Sequence, residues 1–140
     1  MKGLIMNILL INILGMLFSY IGDKIECTDL KDGFYYGRNK GFFPQNIVYI
    51  TIKKDTAFVE CFLPLKGQFF HTFSDTLILK KVETTLYSSE KSNVYLKKGK
   101  VFFKTIAEMS EYNISETEIT CQPDKENEYK DIRDKAKPFK

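Results

Sequence analysis

The stretch IVYITIKKDTAFVECFL, residues 47–63, alternates cleanly on both sides of one short break. If the chain reverses at Lys54-Asp55, then Ile52 faces Ala57, Ile50 faces Val59 and Val48 faces Cys61. All six point to one side, because successive side chains of a strand alternate. On the other side Thr51 meets Phe58, Tyr49 meets Glu60 and Ile47 meets Phe62. One face is wholly apolar and the other is aromatic with polar groups mixed in. A one-residue slip would scramble both faces, so the pattern specifies the register. Lys54-Asp55 lacks the glycine of the best two-residue turns, and a four-residue loop in the same register serves equally well.

An aromatic second face is not expected to look only at water, so the pattern asks for a barrel or a sandwich. Two outcomes stay open for that face. If a terminal segment or loop covers it, its rings are structural. If it is bare, Tyr49, Phe58 and Phe62 are the expected ligand or partner face, with Phe42 and Phe43 of the preceding loop beside them.

The rest of the chain supplies more strands of the same kind. Phe34-Tyr35-Tyr36 lies between Gly33 and Gly37, and a loop with Gly41 and Pro44 follows. Pro64 is expected to end the central hairpin, and Lys66-Gly67 to turn the chain again. Gln68 to Phe73 reads as a strand, Ser74-Asp75 as a turn, and Thr76 to Val82 as the next strand. Thr84 to Ser88 is another short one. NVYLKKGKVFFKT, residues 93–105, gives a second hairpin about Lys98-Gly99. A short last strand falls within Ile114 to Cys121. With 12 Phe, 8 Tyr and no Trp, the composition favours strands. The fold expected is all-β: a small antiparallel meander of about eight strands closing into a barrel or sandwich.

In front of this stands MKGLIMNILLINILGMLFSYIG, residues 1–22. A lysine followed by an apolar run reads as a secretory signal helix. The run is also near the ~20 residues that span a bilayer, so a membrane anchor over residues 3–22 is the alternative. Either way the rest of the chain is expected outside the cytoplasm, secreted or periplasmic, and the membrane enters only through this segment. The expected organisation is therefore residues 1–22 signal, 23–121 β domain and 122–140 a charged flexible tail with few apolar residues. In an exported chain with Cys27, Cys61 and Cys121 a disulfide is the default. Cys27 and Cys121 bracket the sheet and are the favoured pair, leaving Cys61 buried as a small hydrophobe on the apolar face.

DGFYYG, KKDTAFVECF and SDTLILKKV, within residues 32–105, resemble the strand-and-turn texture of small secreted lipocalin-like barrels. That resemblance implies a cup for a small apolar ligand, and a large pocket lined by Phe34, Tyr36, Tyr49, Phe58 and Phe70 would favour a binding module. A barrel this small can equally be filled by its own side chains.

Catalytic signatures are scarce. His71 is the single histidine. Cys61, His71 and Asp75 match a nucleophilic triad in residue type only, without a local signature. The cysteines are too far apart in sequence to suggest a metal site, and no glycine-rich phosphate loop occurs. Glu116 and Glu118 share a strand face, where solvated carboxylates are the ordinary reading. Lysine pairs at strand ends blunt sheet edges, and nucleic acid is not expected in an exported chain. Net charge is +3, which names no partner. Asn113-Ile114-Ser115 is a glycosylation sequon.

The function expected is that of an exported β-barrel binding or interaction protein, with no enzymatic activity, cofactor or metal. Its partner would be an apolar small molecule or a protein. The alternative is a structural or interaction protein of the cell envelope or extracellular space, with no small-molecule site.

Overall fold

The computed structural model describes residues 30–39, 45–80, 86–108 and 113–139. Among them, eight antiparallel strands run as a meander: β1 (Gly33–Arg38), β2 (Ile47–Lys53), β3 (Thr56–Leu65), β4 (Gln68–Lys80), β5 (Leu86–Ser88), β6 (Ser92–Lys97), β7 (Lys100–Thr105) and β8 (Thr117–Cys121). Each pairs with the next, and β8 returns to β1 through Tyr35–Cys121 and Tyr36–Thr120. The sheet is closed, which removes the exposed edges an open sheet would have to protect. The chain then makes a 3-10 turn, Pro123–Lys125, a helix α1, Glu126–Lys135, and a two-residue strand β9, Lys137–Pro138, parallel to β4.

The β2–β3 register is the one the alternation predicts, from Ile47–Phe62 through Tyr49–Glu60 to Lys53–Thr56. The turn holds just two residues, with Lys54 at φ 56°. Lys66-Gly67 and Lys98-Gly99 also take positive φ at both positions, as a tight right-twisting hairpin requires.

Three local expectations are corrected. Strand β3 continues through Pro64, because the β2 ladder already ends at Phe62 and only β4 remains alongside. A proline is tolerated where one side of the strand has no neighbour. Ser74-Asp75 is not a turn but the middle of the 13-residue strand β4. The Asp75 carboxylate accepts from the Thr76 amide (2.9 Å), from Ser92 Oγ (2.6 Å) and from Ser89 Oγ. It therefore ties the β5–β6 loop to the strand instead of folding back. Strand β4 bends elsewhere: Cys61 pairs with Phe73 but Phe62 with His71, so Thr72 bulges out. The Thr72 hydroxyl donates to Asn46 Oδ1 at 2.6 Å and to the Cys61 carbonyl at 3.1 Å.

The third correction concerns residues 122–140. Instead of a loose charged tail, residues 123–138 form the turn, helix and short strand above, and α1 packs on the outside of the barrel. Only Ile132 of this helix is buried, so the composition carries almost no apolar signal.

The interior is filled by the apolar face of the hairpins. Val48, Ile50, Ala57, Val59, Cys61 and Leu77 contact Val94, Val101, Phe103 and Ile119 there, all essentially without solvent exposure. Ile114 plugs one end. Its amide donates to Thr105 Oγ1 at 2.6 Å, and its carbonyl accepts from the Thr105 amide at 3.0 Å. Tyr87 closes the other end, its hydroxyl donating to the Lys54 carbonyl at 2.8 Å.

A second apolar cluster lies outside the wall. Phe34, Ile47, Tyr49 and Phe62 project from β1, β2 and β3 and meet Tyr129 and Ile132 of α1. Two reciprocal polar contacts fix the helix there. Tyr49 on the sheet donates to Glu128 on the helix at 2.8 Å, and Tyr129 on the helix donates to Glu60 on the sheet. Burial first, and the bond to Glu128 second, push the Tyr49 phenol far above its ordinary range.

Candidate binding groove

A groove of about 510 Å³ opens on the outer wall across β1, β8 and β7. Its lining includes Tyr36, Arg38, Phe102, Glu116, Glu118 and Gln122. The ladder accounts for this gathering. Tyr36 lies opposite Thr120, and Phe102 opposite Glu118, so these outward-facing residues sit side by side on three neighbouring strands.

Gly37 shapes the floor. A Cβ there would lie 2.4 Å from the Glu118 carbonyl oxygen and 2.9 Å from Ile119 Cγ2. Only a residue without a side chain lets β1 approach β8 so closely. Thr117 and Thr120 are short, so the walls stand above a shallow base.

The walls are aromatic and charged. The Arg38 guanidinium donates from Nε to the Tyr36 hydroxyl at 3.0 Å, and that bond raises its already high pKa. Lys125 lies over the Tyr36 ring at 5.0 Å, a cation–π distance. Across the groove Tyr95 stacks on Phe102, centroids 6.0 Å apart. Tyr95 donates to Glu116, which also accepts from Lys97 at 3.1 Å. Those two bonds, from Tyr95 first and Lys97 second, hold the Glu116 carboxyl below its usual range. Gln122 Nε2 donates to Thr120 Oγ1 at 2.6 Å. The site thus offers a cation at one wall, carboxylates at the other, and ring faces on both.

The expected ligand face is divided. Tyr49 and Phe62 are buried beneath α1, at 1% and 0% exposure, so they are structural rings. Phe58 is 50% exposed, near Ile78 at 54% on the adjoining strand. Phe42 and Phe43 lie outside the described residues. Of the residues expected to line an apolar cup, Phe34, Tyr36 and Tyr49 belong to the outer cluster, and Phe70 meets Phe139 edge-on at 5.9 Å. The alternation assigns them to the side opposite the interior or to the barrel's end.

The Cys61–His71–Asp75 combination is not assembled. Cys61 is fully buried in the interior, where burial pushes its thiol well above the ordinary value. His71 is outside, with Nε2 3.2 Å from Glu60 Oε2 and its ring edge-on to Phe62. Among the described residues no cluster of three or more His, Cys, Asp or Glu side chains converges as a metal site would require. Cys61 and Cys121 are free thiols. Cys27, the expected partner of Cys121, lies outside the described residues, as do residues 1–22.

Sequence reasoning placed Tyr36 on a strand and Glu116 and Glu118 on one face, but it did not bring them together. The missing signal was the closure of β1 against β8, which lie some 80 residues apart by number. The class defined by this geometry is a closed eight-stranded antiparallel barrel with a helix strapped to its outer wall. No family model matches the chain, and no curated protein or solved structure matches it either.

Proposed function

We propose that this is an exported, non-catalytic binding module that makes its contacts on the outer wall. The observation that carries the reading is the contrast between the two sides of the sheet. The interior is occupied by the chain's own side chains, whereas the outer groove is open and lined by rings with groups of both charge signs. The strand order agrees with a lipocalin-like barrel, but an apolar ligand would have to displace residues such as Phe103 and Leu77 to enter it. The groove suits a polar ligand or a segment of a partner protein that carries both signs of charge. Arg38 would meet an anionic group, Glu118 a cationic one, and Tyr36 and Phe102 an apolar or sugar-like face between them.

Export is supported by the apolar run at residues 1–22.

Chemical-shift mapping tests the site. Titration with short charged peptides, oligosaccharides and fatty acids should move the amides of Gly37, Arg38, Phe102 and Glu118. An Arg38→Glu variant should lose the response to anionic probes. Stoichiometric fatty-acid binding with shifts at Val59, Leu77 and Val94 would reverse the reading in favour of a cup. A second reading, a protein-interaction module without a small-molecule site, is favoured by the exposed pair Phe58 and Ile78.

A further inference from the structure

The sequon Asn113-Ile114-Ser115 lies just before β8, in a segment whose geometry is set by its middle residue. Ile114 is turned inward and only 1% exposed. It is pinned there by its bonds to Thr105 and serves as the plug of that barrel end. Asn113 and Ser115, on either side of it, are both exposed. The fold holds the amide and the hydroxyl on the solvent side while the apolar residue between them does the packing.

We infer that Asn113 is a site of N-linked glycosylation, which rests on the reading of the chain as exported. The modification forms a bond from Asn113 Nδ2 to the anomeric carbon of an oligosaccharide. The sugar leaves its lipid-linked diphosphate carrier, and the amide nitrogen gives up one proton. No oxidant or reductant is involved.

The surroundings allow the adduct at little structural cost. A glycan on an exposed side chain displaces no packed group, and the anchoring bonds of this segment come from Ile114, not from Asn113. Ser115 Oγ donates to Asn39 Oδ1 at 2.9 Å in the folded barrel. That engagement favours transfer during translocation, before β1 and β8 have closed. The position is also functional in its consequences. Asn113 is near the groove-lining Glu116 and Thr117 and at the barrel end opposite the one where Leu30 leads into β1. A glycan there flanks one mouth of the groove and leaves α1 uncovered.

The test is expression of the full chain in secreting eukaryotic cells, with intact-mass analysis of medium and cell fractions before and after peptide N-glycosidase treatment. The expected result is secreted protein heavier than the polypeptide, returned to the polypeptide mass by the enzyme, with Asn113 deamidated in the peptide map. Asn113→Gln and Ser115→Ala should each abolish the added mass, while Ser115→Thr should keep it. Secreted protein at the bare polypeptide mass would overturn the site and leave export standing. Chain retained in the cytosol with no added mass would overturn both. Circular dichroism of the Asn113→Gln variant should match the wild type, so loss of the glycan is separable from misfolding.

Discussion

Ile132→Ala is the most informative single change, because Ile132 is the one buried residue of α1. It is 5% exposed and packs among Phe34, Ile47, Tyr49 and Phe62. The change removes the equivalent of three methylene groups, at about 0.8 kcal/mol each. Alanine's better helix propensity returns about 0.4 kcal/mol. A surface-docked helix can settle inward, so the cavity contribution is small, and the loss should be about 2 kcal/mol. For a domain of this size that is a fall of roughly 8 °C in Tm. The docking free energy of the helix sets a ceiling on this loss. If it is below about 2 kcal/mol, the helix detaches and the barrel persists, because local opening limits the local cost. Detachment would uncover Phe34, Tyr49 and Phe62, so an apolar-surface dye should then bind while the barrel's far-ultraviolet signal remains. Hydrogen exchange separates the cases, since amides 126–135 of the wild type should be protected and those of the variant faster. Wild-type amides already exchanging at the unprotected rate, together with an unchanged Tm for Ile132→Ala, would refute the packed strap.

Gly37→Ala should cost about 2–3 kcal/mol, since its Cβ would meet backbone at 2.4 Å; denaturant midpoints check this, and a neutral result would mean β1 and β8 do not approach so closely. Gly67→Ala meets open space but keeps φ near +74°, so its cost should be only ~1 kcal/mol. The Tyr49–Glu128 contact should make helix docking depend on pH at both extremes. Burial works to raise the Glu128 carboxyl, yet hydrogen bonds from Lys125 and Tyr49 prevail and hold it below 4.5. Its stabilisation is therefore present above that value and lost as pH falls through the lower folded value. Tyr49 is shifted upward, so its part is complete below 10.0 and lost as pH rises beyond it. Urea midpoints of wild type and Tyr49→Phe should converge at both extremes, and a constant difference across the range would count against the contact. Cys61 should resist thiol reagents in the native state, its labelling rate following global unfolding; rapid native labelling would contradict its burial.

Much of this fold was legible wherever a strand had two distinct faces. Val48, Ile50 and Ile52 opposite Cys61, Val59 and Ala57 set a register that the ladder reproduces pair by pair, because a slip would have exposed all six. Legibility failed where one residue type serves two purposes. Asp75-Thr76 carries turn chemistry, yet in β4 the same carboxylate bonds Ser89 and Ser92 across a loop. Pro64 reads as a stop, yet it falls where β3 has lost one neighbour. The groove was illegible for a different reason. Tyr36, Phe102 and Glu118 become neighbours only when β8 closes on β1, a long-range event with no local pattern.

The strap resolves the question that the hairpin's outer face poses. A sheet face bearing Tyr49 and Phe62 needs an apolar cover, and the final segment has few apolar residues with which to supply one. It succeeds by supplying Ile132 and Tyr129 at a three-residue spacing, which places both on the same side of α1. The polar remainder of the helix is used rather than merely tolerated. Glu128 takes the Tyr49 hydroxyl, and Glu60 takes that of Tyr129, so the buried Tyr49 phenol and the half-buried Tyr129 phenol both find acceptors. Both large apolar side chains of the helix, Tyr129 and Ile132, are thus engaged with the sheet. Among the described residues, the open outer wall includes the charged groove beside α1 and the exposed apolar pair Phe58 and Ile78. Of these two, the groove combines concavity with opposed charges, which is why the proposed binding site is placed there and not at the apolar pair.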